Sequence, residues 1–288
     1  MKKFYVVADV HGHYSEMLRD LKNAGYDSSD DNNLLVVIGD NFDRGDESYE
    51  IYKYLKELTD AGKAVVLHGN HEDFILSFLR GSDCSFNYLY NGFDKTLDSL
   101  LQQTDAFSMF CFYCDGNPDI ARQMYGDRVE VLLGDFYAIP SEIRFDVFQE
   151  YAREEIINNC EGIVEWLESL PYYYETENYI FTHGGIDGSC LDWHKPEHYT
   201  WRELTWDNGS FWTRPIINTD KTVVVGHYHT DGIRDKYNIK RDKRKKSNQI
   251  LYGDQRIYID TCTILTKRVN VLIIEDNILE EDMKNESY

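Results

Sequence analysis

The chain has 288 residues and a formal net charge of -21, enough for one large α/β domain or two ordinary ones, with a sizeable core. Such acidity argues against a surface that coats nucleic acid, and it repels phosphorylated ligands at long range, so a phosphate site would have to reverse the sign locally, as bound metal ions do. No uninterrupted apolar run approaches the roughly eighteen residues that a membrane span needs, and Asp9 and His11 break the short run after Lys2 and Lys3 before it could act as a signal segment; a soluble, cytoplasmic protein is expected.

In chain order, an apolar run at 4–8 (FYVVA) predicts a buried strand, and the helical spacing of 14–25 predicts a helix ending at a glycine. A strand at 34–38 (LLVVI), a helix over 48–62 and a strand at 64–67 (AVVL) follow, so the chain opens β-α-β-α-β. That order implies an α/β fold with a largely parallel sheet, whose functional loops lie at the carboxyl ends of its strands. From about 73 to 178 the pattern turns helical, as in 145–170, which ends at Pro171; this reads as a helical insertion or cap. Strands resume at 179–182, 222–225, 257–259 and 269–274, and the polar 280–288 reads as a frayed tail after one domain over 1–279.

Six cysteines are spread over a long chain, which favours reduced thiols over a disulfide framework. Cys111 and Cys114 form one CxxC without a second pair at finger-like spacing, so no structural zinc site is read there. The basic run at 240–246 (KRDKRKK) reads as a solvated loop.

Chemistry gathers where the predicted strands end. The first is followed by Asp9 and His11 (ADVHGH), the second by Asp40, Asp43 and Arg44 (GDNFDRG), and the third by Asn70 and His71 (GNHED). Later strands are followed by His183 (THGG) and by His227 with His229 (GHYH). Singly, each group has a structural reading: an Asp after a strand caps helices, and a His beside glycine sits in turns. Five strand ends with one chemistry, with glycines beside nearly every candidate ligand, point instead to a shared centre.

These motifs, DxH, GDxxDRG, GNHE, HGG and GH in this order between residues 9 and 229, resemble the calcineurin-like metallophosphoesterases, and most nearly their phosphoprotein phosphatase branch of bacterial and phage type. The resemblance implies an α/β fold of layered β-sheets flanked by helices, and two divalent metal ions. Asp9 and His11 would hold the first ion, Asp40 would bridge both, and Asn70, His183 and His227 would hold the second. Nitrogen and oxygen ligands without thiolate suit manganese, iron or zinc, and manganese is expected. A water acidified between the ions would attack phosphorus, His71 would protonate the leaving oxygen, Asp43 would orient His71, and Arg44 would clamp phosphate oxygens. A second arginine is expected between HGG and GH; of Arg202 and Arg214, the W-x-R spelling favours Arg214.

The chain departs from the branch in two places. ADVHG lacks the glycine common before the first Asp, which leaves both ligands in place, and GHYH adds His229, either a ligand of the first ion or a residue behind the ligands. His13 and His68 are read as neighbours of the site. The expected activity is hydrolysis of phosphate monoesters, with phosphoserine or phosphothreonine protein or a small phosphate ester as substrate. A dinucleotide polyphosphate hydrolase shares the same ligands, and a non-catalytic metal-binding scaffold is the reading from another class.

Overall fold

The computed structural model of the chain describes residues 1–101, 144–194, 204–206, 215–240 and 248–279. Cys111, Cys114, most of the basic run and the polar tail lie outside these residues. The first half opens with β1 (Lys2–Val7), α1 (Tyr14–Asn23), β2 (Asn33–Ile38), α2 (Ser48–Asp60) and β3 (Ala64–Leu67). Helices α3 (Asn70–Leu79), α4 (Ser85–Tyr90), α5 (Phe93–Leu101), α6 (Arg144–Asn159) and α7 (Ile163–Ser169) come next. Then follow β4 (Tyr173–Glu175), β5 (Tyr179–Thr182), β6 (Thr222–Val225), α8 (Thr230–Lys236), β7 (Leu251–Tyr252), β8 (Arg256–Tyr258), α9 (Thr263–Thr266) and β9 (Leu272–Asp276).

The strands form two sheets, the layered arrangement that the motif resemblance implies. The first has the order β3-β2-β1-β9, with β1, β2 and β3 parallel and β9 antiparallel to β1. The second has the order β4-β5-β6-β8-β7, with β5, β6 and β8 parallel between antiparallel edges. Strand alternation explains the layering, because successive side chains point to opposite faces. In β1, Phe4 and Val6 join Phe181 of β5, Val224 of β6 and Ile257 of β8 in an apolar layer between the sheets. Tyr5 and Val7 of the same strand turn outward onto Met17 of α1, Leu55 of α2, Ile75 of α3 and Leu97 of α5. On the far face of the second sheet, Ile180, Val223 and Val225 pack with Ile233 of α8 and with Trp193 and Ile216. Because both faces of each sheet are covered, the central strands read as continuous apolar runs.

Three features differ from the sequence expectation. The helical pattern over 145–170 breaks after Asn159, because Gly162 adopts φ 77° and starts α7 in a new direction. The strand β4 falls inside the stretch read as helical to 178; its Tyr173, Tyr174 and Glu175 are half-buried, without the apolar run that marks a central strand. The short edge strand β7 carries no such run either.

Phe181 is fully buried, with its ring centroid 6.4 Å from that of Phe4 and 6.0 Å from that of Tyr174. Phe181→Ala should cost about 3–5 kcal/mol, because the rigid sheets cannot close the cavity. Denaturant unfolding checks this, and a loss under about 1 kcal/mol would show that the sheets collapse onto each other.

Candidate metal centre

The carboxyl ends of both sheets meet, and the loops leaving them carry the ionisable groups. Asp9 follows β1, Asp40 follows β2, and Asn70 and His71 form the first turn of α3 just after β3. His183 follows β5, and His227 follows β6. Main-chain bonds stitch the loops together: the N–H of Asp9 donates to Gly39 O, that of His11 to Asp40 O and that of Gly226 to His183 O. The turns are tight enough to force strained backbone. Asp9, His11, Asp40, Asp43, Arg44 and His227 all have φ between 48° and 71°, a region that costs a non-glycine residue energy and clusters at functional sites. Gly39, at φ 67°, leaves room for close approach, since a Cβ there would lie 2.7 Å from Gly69 Cα and 3.0 Å from His183 Nδ1.

Asp40 occupies the middle, and its two oxygens face different ways. Oδ1 lies 3.2 Å from His183 Nε2 and accepts the His71 backbone N–H at 3.0 Å, whereas Oδ2 lies 3.7 Å from His11 Nε2 and 3.8 Å from His71 Nε2. Two groups able to hold a metal ion therefore share this carboxylate: His11, Asp40 and His71, and Asp40, His183 and His227. Asn70 Oδ1, 3.2 Å from His183 Nε2, stands beside the second group. Asp9 receives the backbone N–H of His227 on both oxygens at 3.0 Å, which ties the end of β1 to the end of β6.

The imidazoles are preset for coordination. His11 Nδ1 donates to Phe42 O at 2.9 Å and His183 Nδ1 to Ile38 O at 2.8 Å, which turns each Nε2 toward Asp40. A carbonyl behind the ring is the usual partner of a metal-bound histidine, since it sets tautomer and orientation. With nitrogen and oxygen donors, a shared carboxylate and no cysteine in either group, the residues fit two divalent cations.

His71 and Arg44 complete the basin. His71 Nδ1 donates to Asp43 Oδ2 at 2.5 Å, and the guanidinium of Arg44 reaches His11 Nε2 at 2.9 Å and His71 Nε2 at 3.2 Å. Phe74 packs edge-on against His71 at 5.1 Å, and Trp206 lies 5.7 Å from Phe74 and 5.9 Å from His227, so one flank is aromatic.

His229 belongs to neither group. Its side chain is 47% exposed, with Nε2 3.8 Å from Asp260 Oδ2. His13 donates to His11 O, and His68 pairs with Asp73, so both stand behind the ligand loops. Arg202 and Arg214 lie outside the described residues. Three buried residues escape the sequence reading. Glu72 binds the loops after β2 and β3, Thr96 binds Asp43, and Asp260 follows β8 much as Asp9 follows β1. The last two differ in legibility: an Asp directly after the apolar run 257–259 was a readable signal for Asp260, whereas nothing local marks Thr96.

A model of the family described as calcineurin-like phosphoesterase matches residues 2–255. Over 92 residues the chain is 37% identical to serine/threonine-protein phosphatase 2 of Salmonella typhimurium, covering 32% of this chain and 39% of that protein. Over 107 residues it is 29% identical to the asymmetrical bis(5'-nucleosyl)-tetraphosphatase PrpE of Bacillus velezensis, covering 35% of this chain and 42% of that protein. The matches thus span less than half the length of these curated relatives. A solved cold-active protein tyrosine phosphatase shares the fold, with a TM-score of 0.51 at 18% identity over 96% of this chain and 74% of that one.

Electrostatics decide how cations would enter. Burial pushes the Asp40 carboxyl up, but His183 and His71 outweigh it and hold the group well below the usual carboxylate range. Burial likewise opposes protonation of His183, yet Asp40 raises it to about 10. Burial, with Asp260 adding to it, pushes Asp9 well above the ordinary carboxylate value. A metal needs neutral imidazole and ionised carboxylate, so uptake has to expel protons from His183 and Asp9. Manganese affinity should therefore rise with pH from about 6 toward the His183 value of about 10, and calorimetry in buffers of different ionisation heat should show proton release. An affinity that does not change with pH, without proton release, would contradict this account.

Proposed function

Because this chain belongs to the calcineurin-like phosphoesterase family, we propose that it is a metal-dependent phosphatase that hydrolyses phosphate monoesters with two divalent cations. The observation that carries the reading is Asp40, whose carboxylate offers one oxygen to each of two ligand groups. On the motif resemblance, His11 and Asp9 would serve one ion and Asn70, His183 and His227 the other, with His71, which stands in the first group, kept for proton delivery; Asp9 and Asn70 stand outside the two groups. Bound there, the cations would polarise the phosphoryl group and acidify the attacking water. Manganese is the proposed metal, on the nitrogen and oxygen donor set. No helix among the described residues is long and apolar enough to cross a membrane, and the proposal places the enzyme in the cytoplasm.

The protein's own groups would do the remaining work. Arg44 presents a planar fork of donors over the first ligand group, suited to two phosphate oxygens at once. His71 would deliver a proton to the leaving oxygen. Burial lowers its proton affinity, but Asp40 and Asp43 outweigh burial and hold it above the ordinary histidine value, as an acid near neutral pH requires. Arg214 is proposed as the second clamp, on its sequence position alone.

Phosphoserine or phosphothreonine protein, or a small phosphate ester, is the proposed substrate. A second reading, a dinucleotide polyphosphate, is favoured by the similarity to the Bacillus velezensis enzyme. Turnover of a phosphopeptide beside diadenosine tetraphosphate, under manganese, separates them. Binding of two ions without turnover of p-nitrophenyl phosphate would sink the enzyme reading in favour of a scaffold.

Asp40→Asn should abolish loading of both ions together with nearly all activity, as read by metal analysis and turnover. His71→Asn should keep both ions and slow alkyl phosphates by about 10²-fold or more, with a smaller loss on nitrophenyl phosphate. Loss of a metal ion in His71→Asn would make His71 a ligand rather than the proton donor.

A further inference from the structure

Asp43 is completely buried, and each of its carboxylate oxygens has its own partner. Oδ2 takes the Nδ1 proton of His71 at 2.5 Å, and Oδ1 takes a hydrogen bond of 2.6 Å from Thr96 Oγ1 in α5. The same hydroxyl accepts the backbone N–H of Asp43 at 2.8 Å and lies 3.3 Å from Ser48 Oγ. A carboxylate can only accept, so the single hydrogen of Thr96 goes to Asp43. Its oxygen is then left to accept from the Asp43 N–H and from the Ser48 hydroxyl. The chain runs in one sense, from Ser48 to Thr96 to Asp43, with His71 donating from the other side.

The start of α5 also holds the strained backbone next to this chain. Asp43 and Arg44 sit at φ 71° and 70°. Thr96 takes the N–H of Asp43, and Gly92, just before the helix, takes the N–H of Arg44 at 3.0 Å. Nothing larger than glycine fits there, since a Cβ on Gly92 would lie 2.7 Å from Arg44 N.

We propose that Thr96 is a positioning residue of the phosphatase reaction: its hydroxyl fixes the plane of the Asp43 carboxylate, and through it the direction in which His71 hands its proton to the leaving oxygen. The inference rests on the phosphatase reading given above. Thr96 keeps its own hydrogen throughout; the proton that moves is the one on His71 Nε2. Proton transfer needs heavy atoms within about 2.6–3.2 Å, and misplacement by about 1 Å can cost on the order of 10²-fold in rate. Without the hydroxyl, Asp43 can swing about its side-chain bonds and the imidazole tilts with it. Leaving oxygens that depend on protonation should suffer, and those that depart unaided should not.

The test compares Thr96→Val, which nearly conserves shape, with Thr96→Ser, which keeps the hydroxyl, both loaded with manganese. For Thr96→Val, kcat on glycerol 2-phosphate should fall by about tenfold or more while kcat on p-nitrophenyl phosphate stays within about threefold, with KM and the metal content unchanged. Thr96→Ser should restore the ratio of the two substrates. Equal losses on both substrates, or an unaltered ratio in Thr96→Val, would overturn the inference. If the valine variant does not fold, Thr96→Ala gives the same comparison, with a thermal melt and a metal count as controls. Wild-type protein reports separately on the underlying reading: if it is fully loaded and turns over neither substrate, the phosphatase reading fails; if it is active and Thr96→Val is unselective, only the role of Thr96 fails.

Discussion

Two loops leaving neighbouring parallel strands have to meet at one distance if Asp40 is to face both ligand groups, and the carboxylate of Glu72 sets that distance. Glu72 is fully buried and accepts the backbone N–H groups of Asp40, Asn41 and Gly69, each at 2.8 Å. The side-chain amide of Asn41 adds a fourth bond at 3.0 Å. Burial, with Asp40 adding to it, raises its proton affinity, and only such a set of donors makes an interior carboxylate tolerable. One side chain thereby joins the loop after β2 to the first turn of α3. Asp40 and Asn70 cannot drift apart without leaving Glu72 unsatisfied.

The same constraint explains the strained backbone. Left-handed φ at Asp9, His11, Asp40, Asp43, Arg44 and His227 costs on the order of 1–3 kcal/mol per residue, and it persists only where the surroundings over-determine it. Here they do. The strands that launch these loops are held between a helix-facing core and an inter-sheet core, and the loops are cross-bonded to one another. Stability stored in the cores is spent as geometry at the carboxyl edge.

The helices after β3 are part of that arrangement. Although α5 lies apart from the strand ends in sequence, Gly92 and Thr96 grip Arg44 and Asp43, and Phe93, Leu97 and Leu100 anchor the helix in the core shared with α2 and α3. A stretch that reads from sequence as a cap thus supplies backbone and hydroxyl partners to the centre of the molecule.

What the amino-acid sequence determined by itself was local. Apolar runs such as 34–38 and 64–67 mark buried strands, and the polar residues just past them, from Asp9 to His227, stand out because short loops leave them nowhere to go but the strand ends. The allotment of strands to each of the two sheets, the break at Gly162, the pairing of His229 with Asp260 and the grip of Thr96 on Asp43 were decided only by tertiary structure. The physical reason is separation along the chain. Thr96 acts 53 residues from its partner, and a buried threonine on an apolar helix face looks the same in sequence whether its hydroxyl meets a carboxylate or a carbonyl.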